Sequence, residues 1–343
     1  MSGKSPSMKQ IAAEAGVSIM TVSRVLRNQA NVSAKTQQRI QDIAERLGYK
    51  PNRLVRGMQS GRSGIVSLVV PAKNHFVHGI LEGAYEFFSE KDIMMSLDFV
   101  SGNMGEKAFD EQSKLINRLL ESRVDGILLV PVNEEASPLY FKEIIDRKIP
   151  LVLVDRDVRR LEADFVGTDD VAGGREAAQV LAKNGCKRVV LISPGDFVST
   201  SRKRIEGFKG GLAEFGMELV TEVVTNDFLY NGELIDAELR KYAGQFDGVF
   251  AVADRLGISA WHSCKALNLS IPDDVKIIGF GALNLRDPRV ALSSFDQNPA
   301  EIGRNAAKLL FERIENGGSG QAFSPKVILN KPRFIAGTSC PSA

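Results

Sequence analysis

At 343 residues, with 43% hydrophobic and 25% charged residues, the sequence has the size and composition of a globular protein of two or three domains. No apolar run approaches a membrane span, the start MSGKSPSMKQ carries no apolar signal region, and Cys186, Cys264 and Cys340 are too few and scattered for a disulfide framework, so a reducing, cytoplasmic setting is expected. The net charge of +2 is uneven: up to residue 62 eleven basic residues face three acidic ones, which leaves −6 for the remainder. A basic head on an acidic body points to a nucleic-acid module, with a solvated basic face as the alternative that charge alone leaves open.

In chain order, the head reads as three short helices. Ser7 and Gln10 form an S-x-x-Q capping box ahead of an apolar stripe of Met8, Ile11, Ala12 and Ala15, and Gly16 stops the helix. Ser18 caps a second helix that buries Val22, Val25 and Leu26. Ser33 caps a third, with Ile40, Ile43, Ala44 and Leu47 on one face and Gly48 as its stop. The turn AGVS between the first two is short enough for a helix-turn-helix, with the second helix as the reader. Its outer face carries Ile19, Met20, Ser23, Arg24 and Arg27. Packing under a neighbouring segment would explain Ile19 and Met20. So would contact with thymine methyls, with Arg24 on guanine and Ser18, Thr21 and the helix N-terminus on phosphate. The next stretch, YKPNRLVRGMQSGRSG, predicts a short helix starting at Pro51, with Leu54, Val55 and Met58 on one side. Gly57 inside it costs about 1 kcal/mol relative to alanine.

From residue 64 the rhythm changes. GIVSLVVP, VDGILLVPV and IPLVLVD are strand cores between helices near 77–90, 106–122 and 136–147, and RVVLISP, DGVFAVAD and VKIIGFG repeat the pattern. Near-continuous Val/Ile/Leu strands between helices imply parallel sheets covered on both faces. Two such units in succession make two doubly wound lobes, and ligands of such sheets bind beyond the C-terminal strand ends, where Asp155, Asp254 and Gly281 fall. In STSRKRIEGF, Arg202, Lys203 and Arg204 lie near a helix N-terminus after the cap candidates Ser199, Thr200 and Ser201. Cations there oppose the helix dipole, so an anion is expected beside them; for Arg202 and Lys203 a solvated basic turn is the alternative.

The stretches IAAEAGVSIMTVSRVL, VSAKTQQRIQDIAERLGYKPNRL, VLVDRD, RKRIEGF and IIGFG occur in an order and at spacings similar to those of the lactose-repressor (LacI/GalR) family of bacterial transcription regulators. The resemblance covers nearly the whole chain. It implies an N-terminal all-α helix-turn-helix head with a hinge helix, then an α/β core of two lobes of periplasmic-binding-protein type. The expected divisions are 1–50 for the head, 51–62 for the hinge and 63–343 for the core. Its N-lobe takes about 63–164 and 295–324, its C-lobe about 165–294 and 325–343.

The resemblance further implies a repressor that binds a pseudo-palindromic double-stranded DNA operator as a homodimer under the control of a small-molecule effector. The base-reading pair falls on Ile19 and Met20, and Arg27 replaces a common asparagine. Further DNA contacts fall on Asn31, Ser33, Tyr49, Asn52, Arg53 and Val55. Met58 takes the place of the leucine that wedges open a base step in the minor groove. Effector residues fall on Phe76, Asp155, Arg204, Phe228, Asp254, Gly281 and Gln297, and the basic segment adds Arg202 as a candidate. The pattern departs at Gly281, where an aspartate is expected, and at Ala253, where an asparagine is expected. With two hydroxyl-binding side chains gone and a basic segment present, a sugar acid or sugar phosphate joins plain sugars as a candidate effector. The chain carries no leucine heptads after the core, which favours a dimer.

Rival readings are a DNA-binding protein controlled by a protein corepressor, which the altered pocket allows, and a periplasmic solute-binding protein, which would share the body but not the basic head. Catalysis lacks a motif: there is no Walker loop, G-x-G-x-x-G, G-x-S-x-G or H-E-x-x-H. His75 and His78 form an H-x-x-H pair without a matching ligand set, so neither metal nor cofactor is expected.

Overall fold

A computed structural model of the protein describes residues 6–26, 32–50, 62–72, 76–101, 106–135, 138–195, 198–225, 232–283, 292–317 and 323–342. The chain forms two compact units, Met1–Gly64 and Ile65–Ala343.

In the first unit α1 (Met8–Ala15), α2 (Ile19–Val25) and α3 (Ala34–Arg46) each start on a capping serine. Ser7 accepts from the amide of Gln10, Ser18 from that of Thr21 and Ser33 from that of Thr36. Each cap satisfies a helix donor that has no partner inside the helix. Gly16, at φ 64°, ends α1 in the left-handed region that glycine enters without penalty. Ile11, Ala12, Ala15, Val22, Val25, Ile40, Ile43 and Ala44 close into one small core, with Met8, Leu26 and Leu47 at its edge. Of the expected hinge helix, residues 51–61 lie outside the described residues.

The second unit runs β1 (Ile65–Pro71), α4 (Phe76–Glu90), β2 (Met94–Val100), α5 (Glu106–Glu121), β3 (Gly126–Leu129), a 3-10 turn (Pro138–Phe141) leading into α6 (Lys142–Asp146), β4 (Leu151–Val154), β5 (Asp164–Thr168), α7 (Asp170–Lys183), β6 (Arg188–Ser193), α8 (Ser199–Phe215), β7 (Glu218–Val224), α9 (Gly232–Lys241), β8 (Gly248–Ala251), α10 (Asp254–Ala266), β9 (Lys276–Ile278), β10 (Ser294–Asp296), α11 (Pro299–Asn316), β11 (Val327–Asn330) and β12 (Arg333–Ile335). The first lobe is a parallel sheet in the order β11-β5-β4-β3-β1-β2, the second a parallel sheet in the order β7-β6-β8-β9. β10 and β12 pair antiparallel beside the second lobe.

Alternate residues of β1 explain why its sequence is apolar on both faces apart from Ser67, whose hydroxyl donates to Asp98. Val66, Leu68 and Val70 pack under α4 and α11, while Val69 faces the cluster beneath α5. A strand covered on both faces has no wet side to mark with polar residues.

The lobe boundaries differ from the sequence-based ones. β5 pairs with β4, so the first lobe extends to Thr168 rather than 164. β11 pairs with β5, so Val327–Asn330 also belong to the first lobe and not to the second. The chain therefore passes between lobes near 168–170, 296–299 and 330–333. Backbone bonds tie these passages together, as from Asp169 N–H to the Asn330 carbonyl at 2.9 Å.

In the second lobe α7 and α8 approach too closely for side chains. A Cβ on Gly174 would lie 2.1 Å from the carbonyl oxygen of Arg204. Gly174→Ala is expected to lower the stability of this unit by about 1–3 kcal/mol, because backbone must move. Gly210→Ala on the exposed side of α8, where a Cβ meets nothing within 4 Å, is the control and should stabilise slightly. Urea denaturation of both variants checks the contrast.

Candidate functional site

Two sets of residues stand out. In the first unit the N-terminus of α2 presents side chains that the core does not use. Ile19 and Met20 are 47% and 61% exposed, so they do not pack under a described neighbour. Ser18 Oγ lies 3.0 Å from Thr21 Oγ1 and accepts from the Thr21 amide at 3.1 Å, which fixes both hydroxyls at the helix start. Ser23 is half-buried and Arg24 exposed. Arg24 has no acidic partner among the described residues. Of the acids of this unit, Glu14 forms an ion pair with Arg46 and Asp42 accepts from Gln38 at 2.8 Å. Ser33 is engaged in capping α3, and Tyr49 is half-buried against the small core. Arg27, Asn31, Asn52, Arg53, Val55, Gly57 and Met58 lie outside the described residues.

In the second unit the C-terminal strand ends and the passages between lobes bring Asp155, Arg204 and Gln297 into one region, where Arg204 and Gln297 share a hydrogen-bond network. Arg204, on α8, is buried and donates three hydrogen bonds. Nε gives to Asp170 Oδ1 at 2.7 Å, Nη1 to the Val252 carbonyl at 2.9 Å, and Nη2 to Gln297 Oε1 at 2.9 Å. Its guanidinium stacks on Phe280, 3.9 Å from the ring centroid. Gln297 Oε1 also accepts from Thr168 Oγ1 at 3.0 Å, so one amide oxygen joins two of the passages. Burial pushes the Asp170 carboxyl up to about 6, against the pull of Arg204.

Asp155 follows β4 in the left-handed region at φ 66°, which a non-glycine residue rarely occupies. It is 8% exposed. No described side chain donates a hydrogen bond to its carboxylate; Arg156 Nε stands 3.8 Å away. Burial raises its pKa, with Arg156, Arg204 and Lys203 lowering it. A carboxylate that accepts from no described side chain, on a strained residue at a strand end, suits a ligand hydroxyl.

The remaining effector candidates are placed differently. Asp254 is buried, and both its oxygens are taken: Ser294 Oγ donates to Oδ1 and the Leu283 amide to Oδ2, each at 2.6 Å. It holds the 281–283 turn instead of facing a ligand. Gly281 sits at φ 126°, a conformation that would strain the aspartate expected there. Phe76 is half-buried at the start of α4 against the first-lobe core, and Phe228 lies outside the described residues. Of the H-x-x-H pair, His75 lies outside the described residues and His78 is exposed on α4.

The start of α8 corrects the reading of its basic segment. Ser199, Thr200 and Ser201 do not cap the helix; its N-cap is Val198, without a side-chain bond. The expected anion is the protein's own Glu134, from the loop after β3. It accepts from the Ser199 amide at 2.6 Å and from Ser199 Oγ at 2.9 Å. Arg202 lies 4.0 Å from Glu134, and Lys203 pairs with Asp157 at 2.6 Å. The charge argument for an acidic or phosphorylated effector therefore falls away. Glu134, Arg156, Asp157 and Asp170 escaped sequence reading, although the first three lie just past the ends of β3 and β4, where ligand-facing loops belong.

The sequence pattern for bacterial regulatory proteins of the lacI family matches residues 7–52, and that of the periplasmic binding protein domain matches residues 65–320. The HTH-type transcriptional regulator CelR of Thermobifida fusca is 31% identical over 322 residues, covering 90% of this chain and 92% of CelR. The chain belongs to the LacI family. A ribose operon repressor of Lactococcus lactis is also 31% identical, over 89% of this LacI-family chain and 90% of its own length. The solved CelR–cellobiose complex superposes with a TM-score of 0.68 at 28% identity, covering 97% of this chain and 99% of that one. The lac repressor dimer bound to operator and the anti-inducer ONPF gives a TM-score of 0.82 over 99% of this chain and 100% of that one; at 16% identity it shows the shared fold. The LacI-family chain is thus a transcription regulator with a helix-turn-helix head and a two-lobed core.

Arg204→Ala leaves Asp170 buried beside no cation of its own. The expected loss is about 3–5 kcal/mol, read from the urea midpoint. Arg204→Lys should recover only part of it, because one ammonium cannot span Asp170, Val252 and Gln297.

Proposed function

We propose that this LacI-family regulator is a repressor that binds a pseudo-palindromic operator as a homodimer and is controlled by an uncharged, hydroxyl-rich effector held between its lobes. The observation that carries the reading is the exposed pair Ile19 and Met20 at the capped start of α2, beside Arg24. Neither apolar side chain can make a bidentate base contact, so the reading assigns them methyl and shape recognition, with Arg24 as the polar contact. The flanking hydroxyls of Ser18 and Thr21 are assigned to phosphate. Arg27, Asn31, Ser33, Tyr49, Asn52, Arg53 and Val55 complete the assigned contacts, and Met58 in the 51–62 hinge is the minor-groove wedge.

For the effector, Asp155 is assigned as hydroxyl acceptor, with Arg204 and Gln297 supporting it. The cellobiose bound to CelR and the ribose operons of other relatives support a sugar. Arg202 is assigned to Glu134 and not to the ligand. Binding is coupled to operator affinity by about 1–3 kcal/mol, the usual size of such coupling. On this reading the chain works in the cytoplasm, off the membrane, without cofactor, metal or catalytic activity of its own.

Selection of bound duplexes from a random pool by the full chain tests the reading. A symmetric consensus is expected. Met20→Ala should relax the preference at one symmetric pair of positions, at a cost of about 1–3 kcal/mol there. Asp155→Ala should leave operator affinity without ligand intact and remove the response to sugar. A consensus without symmetry, or none, would overturn the proposal.

A further inference from the structure

At the seam between the lobes each cation at the start of α8 has a carboxylate beside it. Along the first turns of α8, Arg202 faces Glu134 at 4.0 Å, Lys203 pairs with Asp157 at 2.6 Å, and Arg204 pairs with Asp170 at 2.7 Å. Each cation of the segment has its own carboxylate. Two of the three acids, Glu134 and Asp157, come from first-lobe loops, so these contacts also span the seam. Ser199 is the meeting point. Its amide and hydroxyl donate to Glu134, and its oxygen lies 3.4 Å from the Asp157 amide as acceptor. Lys203 further lies over the Phe165 ring of β5, 5.2 Å from its centroid.

We propose that Glu134 is a specificity-determining residue of the cleft: it occupies the anion position at the start of α8, fastens the first lobe to the second there, and excludes carboxylated or phosphorylated effectors. The inference rests on the reading that an effector enters between the lobes. A helix N-terminus with nearby cations ordinarily attracts a ligand anion. Here that place is filled by a buried side chain, and the Ser199 donors are used. Asp155 and Asp254 bring the cluster to five carboxylates, Glu134, Asp155, Asp157, Asp170 and Asp254, against four cations, Arg156, Arg202, Lys203 and Arg204. An incoming anion would have to displace Glu134 and add to an existing excess of negative charge. An uncharged ligand meets neither cost, and Asp155 is left as its acceptor.

The test is calorimetric titration of inorganic phosphate into the full chain, with small-angle scattering on the same samples. The wild type should give no saturable heat. Glu134→Ala should bind phosphate saturably, at least about tenfold more tightly than the wild-type limit, since one carboxylate is lost from beside the Ser199 donors and Arg202. Its radius of gyration should rise as the fastening is lost. Glu134→Gln, which keeps the size of the side chain and guards against a folding defect, should bind phosphate more weakly than Glu134→Ala but better than the wild type. Arg202→Ala in the Glu134→Ala background should remove the gain. Phosphate binding by the wild type equal to that of Glu134→Ala, or none by either folded variant, would overturn the proposal. Failure of neutral sugars to bind the wild type would instead count against the effector reading and leave the phosphate result standing.

Discussion

A guanidinium taken out of water is tolerated only when its N–H groups are met, and Arg204 meets them with partners from three separate parts of the chain. Asp170 starts α7, Val252 follows β8 on the way to α10, and Gln297 lies in the passage leading to α11. The Gln297 oxygen is shared with Thr168, so the charge is tied to two of the three places where the chain passes between lobes. Any rotation of one lobe against the other turns about these passages. Arg204 is therefore placed to report such a rotation to α8, whose first turn carries the contacts across the seam. One buried charge sets the register of α7 against α8 and also anchors the pivot.

The head could be read from the sequence because its signals are local. A capping serine, an apolar stripe and a stop glycine lie within one or two turns of each other, and the structure places all three helices where those signals fall. The central strands were readable for a related reason: β1, β3, β4, β6 and β8 are covered on both faces and so are mostly apolar. Edge strands gave weaker signals. β2 (MMSLDFV) and β7 (ELVTEVV) mix polar and apolar residues because an edge is partly wet. The lobe boundaries were misjudged for a topological reason. β11 returns to pair with β5 across more than 150 residues of sequence, and nothing in VILN names its partner.

The same distinction runs through the cleft. Asp155, Arg204 and Gln297 stand in stretches whose positions at strand ends or in family motifs single them out, and the structure brings them into one region. The role of the basic segment was not readable. The sequence shows three cations and a helix start that call for an anion, but the anion is supplied by Glu134, 65 residues earlier, and only the fold brings it there. Asp254 was misjudged in the opposite direction. Its position after a strand suggests a ligand contact, yet Ser294 and Leu283 already satisfy it. A carboxylate at a strand end has two possible employments, and its hydrogen bonds decide between them.

What separates binding from structural residues in both units is whether local physics already accounts for them. Val22 and Val25 lower the free energy of the head by leaving water. Ile19 and Met20 do not, and their exposure has no return within the first unit. Asp170 and Asp254 are buried carboxylates whose hydrogen bonds counter part of their desolvation, though burial still raises the pKa of both. Asp155 is also buried, sits in a backbone region that disfavours it, and receives no hydrogen bond from any described side chain. Folding alone would replace such residues with cheaper ones, an apolar-to-polar change at 19 and 20 and a glycine at 155. On the proposed reading the missing partner is external, a base edge for the first pair and a ligand hydroxyl for Asp155.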